Sequence, residues 1–472
     1  MDSISRLFLK SSLTEENPFI STAGILDWVQ ERRKSTTVRI EKTTFDKLDK
    51  WHFDDEAGTL RHETGRFFSI DGIRVRTNYG TVPEWTQPII NQPEVGYLGI
   101  ITREVDGILY FLMQAKVEPG NIDRVQVSPT LQATKSNYTQ VHKGKGQAFL
   151  KYFLDRNRNR VLFDQLQSEQ GARFLKKRNR NIVILVDEDV PHDENYQWMT
   201  LRQIKLLLQH NNIVNMDTRT VISGIPYGET YGSIDDDLAE FSIGNSCSKS
   251  FGRQLLKSMI DPRVAVNSID QLLAWFTDIK QQHELGVSKV PLRKLDSWNI
   301  TQDGIVHAEG KYFRVIPVNI SVEGREVESW CQPMVQPCDD GLIAFIVKPI
   351  RGVIHVLVQA KLECGNFDVM EFAPTVQCLT GRIQDASTVP YLQYVLDAPT
   401  SQIRYDQLLS EEGGRFYREQ NRNIIVEAEE SFPSEVPPAF RWLTLNQLAT
   451  FLKFNNYLNI QTRSLISTLV FD

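Results

Sequence analysis

The chain has 472 residues, of which 41% are hydrophobic and 24% charged, a composition ordinary for a soluble protein of two or three domains and unlike disorder or coiled coil. A formal net charge of −6 disfavours nucleic acid and anionic membrane as partners, so any phosphate must be met by a local basic cluster. Cys247, Cys331, Cys338, Cys364 and Cys378 fit no zinc or disulfide spacing; without a signal-peptide pattern or an apolar run near the ~18 residues of a membrane span, a cytoplasmic location is expected.

In chain order, GILDWVQERRK at 24–34 has helical spacing with Ile25, Leu26, Trp28 and Val29 on one face, and 271–281 (QLLAWFTDIKQ) echoes it. Short β-rich runs follow at 51–75, matched at 298–318. The blocks 84–116 and 329–361 each hold two apolar segments joined by a turn, Asp106-Gly107 or Arg351-Gly352, which predicts a hairpin. Trp85 and Trp330, near the strand starts, read as core residues.

The hairpin runs into QAKVEPGNIDRVQVSPTLQ, 114–132, which returns without a gap as QAKLECGNFDVMEFAPTVQ, 359–377, an offset of 359 − 114 = 245. Such agreement marks one module present twice. Gly120 and Gly365 are expected to adopt backbone angles closed to other residues. Segments 163–186 and 405–428 predict a helix, a basic stretch and a strand. Segments 198–219 and 442–463 predict an amphipathic helix capped by Thr200 or Thr444.

The Gly-, Ser- and Asp-rich segment 223–250 has no counterpart and reads as a linker. The expected architecture is therefore α/β: two domains, 1–222 and 251–472, each a mixed sheet with packed helices, around a pseudo-twofold. A homodimer is expected by the same reasoning. GKGQAF at 144–149 lacks the third glycine of a dinucleotide fingerprint. No P-loop, zinc pair or nucleophile elbow is present, and no cofactor or metal is expected.

TGRFFSI (64–70), TQPIINQPEVGYLGI (86–100), QAKVEPGN (114–121), SPTLQATKSNYT (128–139) and NMDTRT (215–220) together resemble the NDP-hexose 2,3-dehydratases of deoxysugar biosynthesis, over nearly the whole chain. The resemblance implies two tandem Nudix-like domains and a dTDP-linked 4-keto-6-deoxyhexose as substrate. It also implies a 3,4-diketo-2,6-dideoxy product, and a 3-ketoreductase acting next. The R-E-x-x-E-E-x-G metal helix of Nudix hydrolases is missing, since SEQGARFLKKRNR carries no such row of carboxylates.

The implied reaction is a β-elimination. A C4 ketone acidifies the C3 hydrogen, so the site needs a base there, a donor or cation at the C4 oxygen and an acid for the departing C2 hydroxyl. One carbon is oxidised while its neighbour is reduced, so no electron carrier is needed. Lys116 follows an apolar strand, where burial lowers an ammonium pKa or leaves a cation for the enolate; Glu118 is either the base or its partner. The copies diverge just after the motif: 133–146 holds Lys135, Asn137, Tyr138 and His142, types absent from 378–390. Tyr138 and His142 are therefore proton-transfer candidates, and the N-terminal half is the expected reactor. Arg173, Arg178 and Arg180 are candidates for the diphosphate, and Gln87, Asn121, Thr130, Gln132, Asn137, Asn215 and Arg219 for sugar and nucleotide hydroxyls and carbonyls. Lys361, Asn366, Thr375, Gln377, Arg415 and Arg422 are the corresponding candidates for a second site. Two other readings are a Nudix-type nucleotide-sugar hydrolase and a non-catalytic binding protein.

Overall fold

The computed structural model describes residues 2–134, 148–155, 159–229, 250–323, 329–380 and 386–471. Alternating apolar strands build four mixed or antiparallel sheets, two of seven strands and two of five, and the second of each kind repeats the first. In the N-terminal half the seven-stranded sheet centres on the hairpin Gly96–Val105 and Ile108–Val117, whose turn residues Asp106 and Gly107 both have positive φ. That is the backbone a two-residue hairpin turn requires. Arg178–Leu185 pairs with Gly96–Val105 in parallel, and Arg160–Ser168 lies antiparallel outside it. The hairpin Gly341–Ile350 and Val353–Lys361 has the same neighbours in the other half.

Residues 163–168 and 405–410, both predicted as helix, form the ends of strands Arg160–Ser168 and Ile403–Ser410, because pairing with Arg178–Leu185 and Gln420–Glu427 satisfies their backbone and overrides a local helical pattern. The capping predictions for Thr200 and Thr444 do describe the structure. Each accepts the N–H three residues on, and the Gln there bonds back, closing a capping box on Leu201–Leu207 and Leu445–Leu452.

The halves exchange strands. Val38–Lys42 adds to Phe313–Val322 of the C-terminal half, and Leu285–Val290 adds to Ser69–Thr77 of the N-terminal half. Helices Ser3–Leu13 and Thr22–Ser35 cover one large sheet, Phe251–Ile260 and Ile269–Gln282 the other, and a continuous apolar core running through Phe8, Phe111, Val127, Phe276, Phe345 and Phe372 joins them. No helix among the described residues is long and apolar enough to cross a membrane.

The repeated motif loops lie against the opposite half. Gly120 N donates to Gly413 O (2.6 Å) and Gly120 O accepts from Arg418 N (2.7 Å); reciprocally, Gly365 N donates to Gly171 O (2.7 Å) and Gly365 O accepts from Lys176 N (2.7 Å). Neither glycine has positive φ. Glycine is required instead by proximity: a Cβ on Gly120 would stand 1.6 Å from Phe416 O, and one on Gly365 1.8 Å from Phe174 O. Phe174 and Phe416 meet edge to face between the two crossings, 5.6 Å apart.

Candidate active site

A cavity of about 310 Å³ opens at the end of strand Ile108–Val117 and is lined from both halves. The N-terminal half supplies Phe67, Phe68, Tyr97, Lys116, Glu118, Gln132, Glu169, Lys177, Asn179 and Asp217; the C-terminal half supplies Trp330, Gln332, Glu412, Gly414 and Arg415.

The floor follows from strand alternation and one helix start. Lys116 and Glu118 are two positions apart, so both face the same side, with Nζ 3.9 Å from Glu118 Oε1. Gln132 Nε2 donates to Glu118 Oε1 (2.9 Å) and also to Asp217 Oδ2, bridging two carboxyls. Asn121 Nδ2 donates to Glu118 Oε2 (3.0 Å). Asp217 sits in the first turn of helix Met216–Ser223, which Asn215 caps through Thr218 N (2.9 Å). Burial raises the Asp217 pKa well above its ordinary value, and Glu118, Glu169 and Glu412 add to the rise. Its carboxyl therefore holds a proton where an exposed Asp would not.

Glu169 stands opposite. It is buried, accepts from Asn179 Nδ2 (2.5 Å), and is pushed up to about 7, first by desolvation and then by Glu412, against the pull of Lys177, Arg463 and Arg415. Burial brings Lys177 down to about 8. Arg415 reaches in from the other half. Glu412 Oε1 holds its Nη1 (2.8 Å), Gln92 Oε1 holds its Nη2 (2.7 Å), and the Phe68 ring lies 5.9 Å from its guanidinium.

Several expected residues therefore change places. Arg415, expected at a second site, lines the first cavity, because its loop crosses over. Arg173, expected at the first, sits over the Phe313 ring (4.2 Å) and is felt by Glu363 and Cys364 of the second motif loop. Gln87 points the same way, donating to Ala172 O (3.1 Å), whereas its counterpart Gln332 donates to Gly414 O (2.7 Å) and lines the first cavity. Trp330, expected in the core, lines that cavity too. Arg178 lies over Phe367 (4.1 Å) of the second motif loop. Arg180 is locked to Asp164 and bonds Tyr97 Oη (2.9 Å), which places it behind the cavity wall; Arg422 is locked to Asp406 in the same way.

Other candidates are used up by the fold. Thr130 Oγ1 accepts from Ile101 N (2.9 Å) and donates to Leu112 O (2.5 Å); Thr375 repeats this with Ile346 N and Leu357 O. Arg219 is fully buried and donates to Val214 O, Ser410 O and Ser464 Oγ, so it braces the junction of the halves and is not among the residues lining the cavity. Asn137, Tyr138 and His142 lie outside the described residues.

At the second motif, Lys361 Nζ donates to Gln377 O (3.0 Å), Gln377 Nε2 donates to Glu363 Oε1 (2.9 Å), and Asn366 is buried beside them. Desolvation lowers the Lys361 pKa. The frame is thus repeated, and Glu169 has its counterpart in Glu411, buried and likewise pushed up to about 7 by desolvation, but three charged groups of the first cavity are not. Gln461 stands where the first half has Asp217, Glu419 where it has Lys177, and Gln170 where the C-terminal half has Glu412. Asp217, Glu169, Lys177 and Glu412 were not among the expected site residues. The signal that would have found three of them was in the repeat itself, as charge-changing differences between otherwise aligned copies.

The model of the NDP-hexose 2,3-dehydratase family matches residues 22–225 and 269–469, one stretch in each half. A protein of Saccharopolyspora spinosa named dTDP-4-dehydro-6-deoxy-alpha-D-glucopyranose 2,3-dehydratase is 45% identical over 98% of this chain and 94% of its own length. Proteins with the same name from Streptomyces violaceoruber and Amycolatopsis orientalis are 41% and 38% identical, over 94% and 97% of this chain and 96% and 92% of theirs. These matches span both halves and the loops that cross between them, and on that ground the chain belongs to the NDP-hexose 2,3-dehydratase family.

Proposed function

We propose that the chain is a lyase that eliminates water across C2–C3 of dTDP-4-keto-6-deoxy-D-glucose, giving dTDP-3,4-diketo-2,6-dideoxy-D-glucose, and that the cavity at Lys116 is where it does so. The substrate follows from the names of the relatives. The observation that carries the chemistry is a cation and two carboxyls of unusual proton affinity facing one cavity: Lys116, Asp217 and Glu169.

Glu169, with a pKa of about 7, is poised to remove the C3 proton near neutrality, where a base is most effective. Lys116 offers positive charge to the C4 oxygen as the enolate forms. Asp217, still protonated, delivers a proton to the leaving C2 hydroxyl. The C2–C3 enol then takes a proton at C2 to become the 3-ketone, and electrons balance within the sugar. We read each large sheet with its helices as Nudix-like, the second retaining the frame and a carboxyl at Glu411 but with Gln461 in place of the acid Asp217. The diketone product is itself the substrate for a reductase acting at C3.

Protein incubated with dTDP-4-keto-6-deoxy-D-glucose in deuterated water, with a 3-ketoreductase to trap the product, is expected to yield a sugar lacking the C2 hydroxyl and carrying deuterium at C2. Unlabelled C2 would refute the elimination, and metal-dependent release of nucleoside monophosphate would support the hydrolase reading instead. For the diphosphate we assign Arg415. Arg415→Ala is expected to raise KM by about 10- to 100-fold, the value of a hydrogen bond to a charged group, while Arg173→Ala leaves the KM of turnover near wild type. Steady-state kinetics of the two variants read this directly, and equal effects would remove the assignment.

A further inference from the structure

We propose that Glu371, a carboxyl of the C-terminal half sealed from solvent, is a positioning residue for the first cavity: acting through Ser168 and Arg463, it sets how firmly Glu169 is held as a carboxylate. This rests on the reading of Glu169 as the base.

Ser168 ends strand Arg160–Ser168, and the next residue is Glu169. The hydroxyl and carbonyl of Ser168 are held from the opposite half. Its Oγ donates to Glu371 Oε2 (2.9 Å), Arg463 Nη2 donates to its carbonyl, and Arg463 Nη1 lies 3.4 Å from its Oγ. Arg463 is buried and spends its other donors on Leu458 O (2.6 Å) and Thr220 Oγ1 (2.9 Å). Glu371 is 1% exposed, and its second oxygen, Oε1, has no hydrogen-bond partner among the described residues.

The other half holds the same grip, behind Glu411, with a neutral side chain in place of the carboxyl. There Arg219 Nη2 donates to Ser410 O (2.5 Å) and Ser410 Oγ donates to Gln126 Oε1 (2.9 Å). Gln126 occupies the position of Glu371 in the repeat. A neutral amide fills the same role, so the carboxyl in the grip behind Glu169 adds charge and nothing that packing requires.

That charge competes for one cation. Glu371 faces Arg463 and Ser168, with Glu363 and Lys280 also acting on it. Glu169 faces Glu412, Lys177, Arg463 and Arg415, and lies near Asp217. Arg463 thus serves two buried carboxyls, both pushed up to about 7 chiefly by desolvation. While Glu371 is ionised it offsets Arg463, and Glu169 keeps its proton to higher pH, which makes it the stronger base once deprotonated.

Glu371→Gln should therefore move the acidic limb of kcat to lower pH, by about one unit, and lower kcat on the plateau. KM and the Kd for dTDP should stay near wild type. Ser168→Ala, which cuts the same link without touching the carboxyl, should move the limb the same way by less, and it serves if the first variant folds poorly. An unmoved limb in both variants, with or without a fall in kcat or Tm, would leave Glu371 a structural residue and overturn the proposal even though Glu169→Gln is inactive. If Glu169→Gln retains turnover, the reading of the base falls and this proposal falls with it.

Discussion

Lys116→Met is expected to lower kcat by about a thousandfold, the cost of removing one group aimed at developing charge in a closed site, while Lys361→Met leaves most of the turnover. The two lysines occupy equivalent strand ends but different surroundings. Lys116 lines the cavity with Glu118 beside it and Asp217, Glu169 and Arg415 around it. Lys361 is half-buried, its Nζ bound to Gln377 O, and faces a frame in which Gln461 stands in place of the acid. Substrate binding should change little in either variant, because Lys116 acts mainly on charge that appears after the C3 proton leaves. Kinetics of both variants on one substrate preparation provide the check. Equal losses would mean that both clefts turn over, or that the lysine serves the fold.

Glu169→Gln should be as damaging to turnover and, at alkaline pH, good for stability. Removing a positioned base costs about 10²- to 10⁴-fold, and the limb of kcat that rises through about pH 7 should vanish with it. The stability effect has the opposite sign. Glu169 binds its proton more tightly folded than unfolded, so its contribution is fully present below the unfolded value of 4.5 and is lost as pH rises through about 7. Gln carries no such penalty, so the Tm of the variant should exceed that of the parent at pH 8 and approach it at pH 5. Asp217→Asn is expected to lose turnover too, since the amide cannot release a proton to the departing hydroxyl. A Glu169→Gln protein with wild-type turnover would move the base elsewhere in the cavity.

The parts legible in sequence were those decided by neighbours in the chain. Asp106-Gly107 and Arg351-Gly352 specify a hairpin because the turn needs positive φ at both residues, and Thr200 and Thr444 announce a helix because the cap lies three residues from its partner. The parts that were not legible depend on contacts between residues some 200 to 300 positions apart. Nothing local in Arg415 says that it joins Gln92, or in Gly120 that Phe416 O will press against it. The helix expected at 163 to 168 failed at shorter range, because pairing with strand Arg178–Leu185 decides its conformation. Lys116, Glu118 and Gln132 stood out because they lie in a conspicuous repeat. Asp217 and Glu169 lie where the copies differ or where the sequence looks like ordinary polar loop, and only the cavity shows what they face.

The crossing of the motif loops also bears on how such a chain can change over time. Each motif loop is held by the other half, so two identical chains carrying one module apiece would form a symmetric pair in which every substitution is made twice. Joined in one polypeptide, the copies are free to differ: position 217 can be an acid while position 461 is an amide, and 371 a carboxyl while 126 is neutral. The fusion is thus what allows one cleft to be refined for chemistry at the other's expense, and it ties the C-terminal half to the reaction, because a substitution at Arg415 or Glu371 is felt across the junction in the cleft that the N-terminal motif floors.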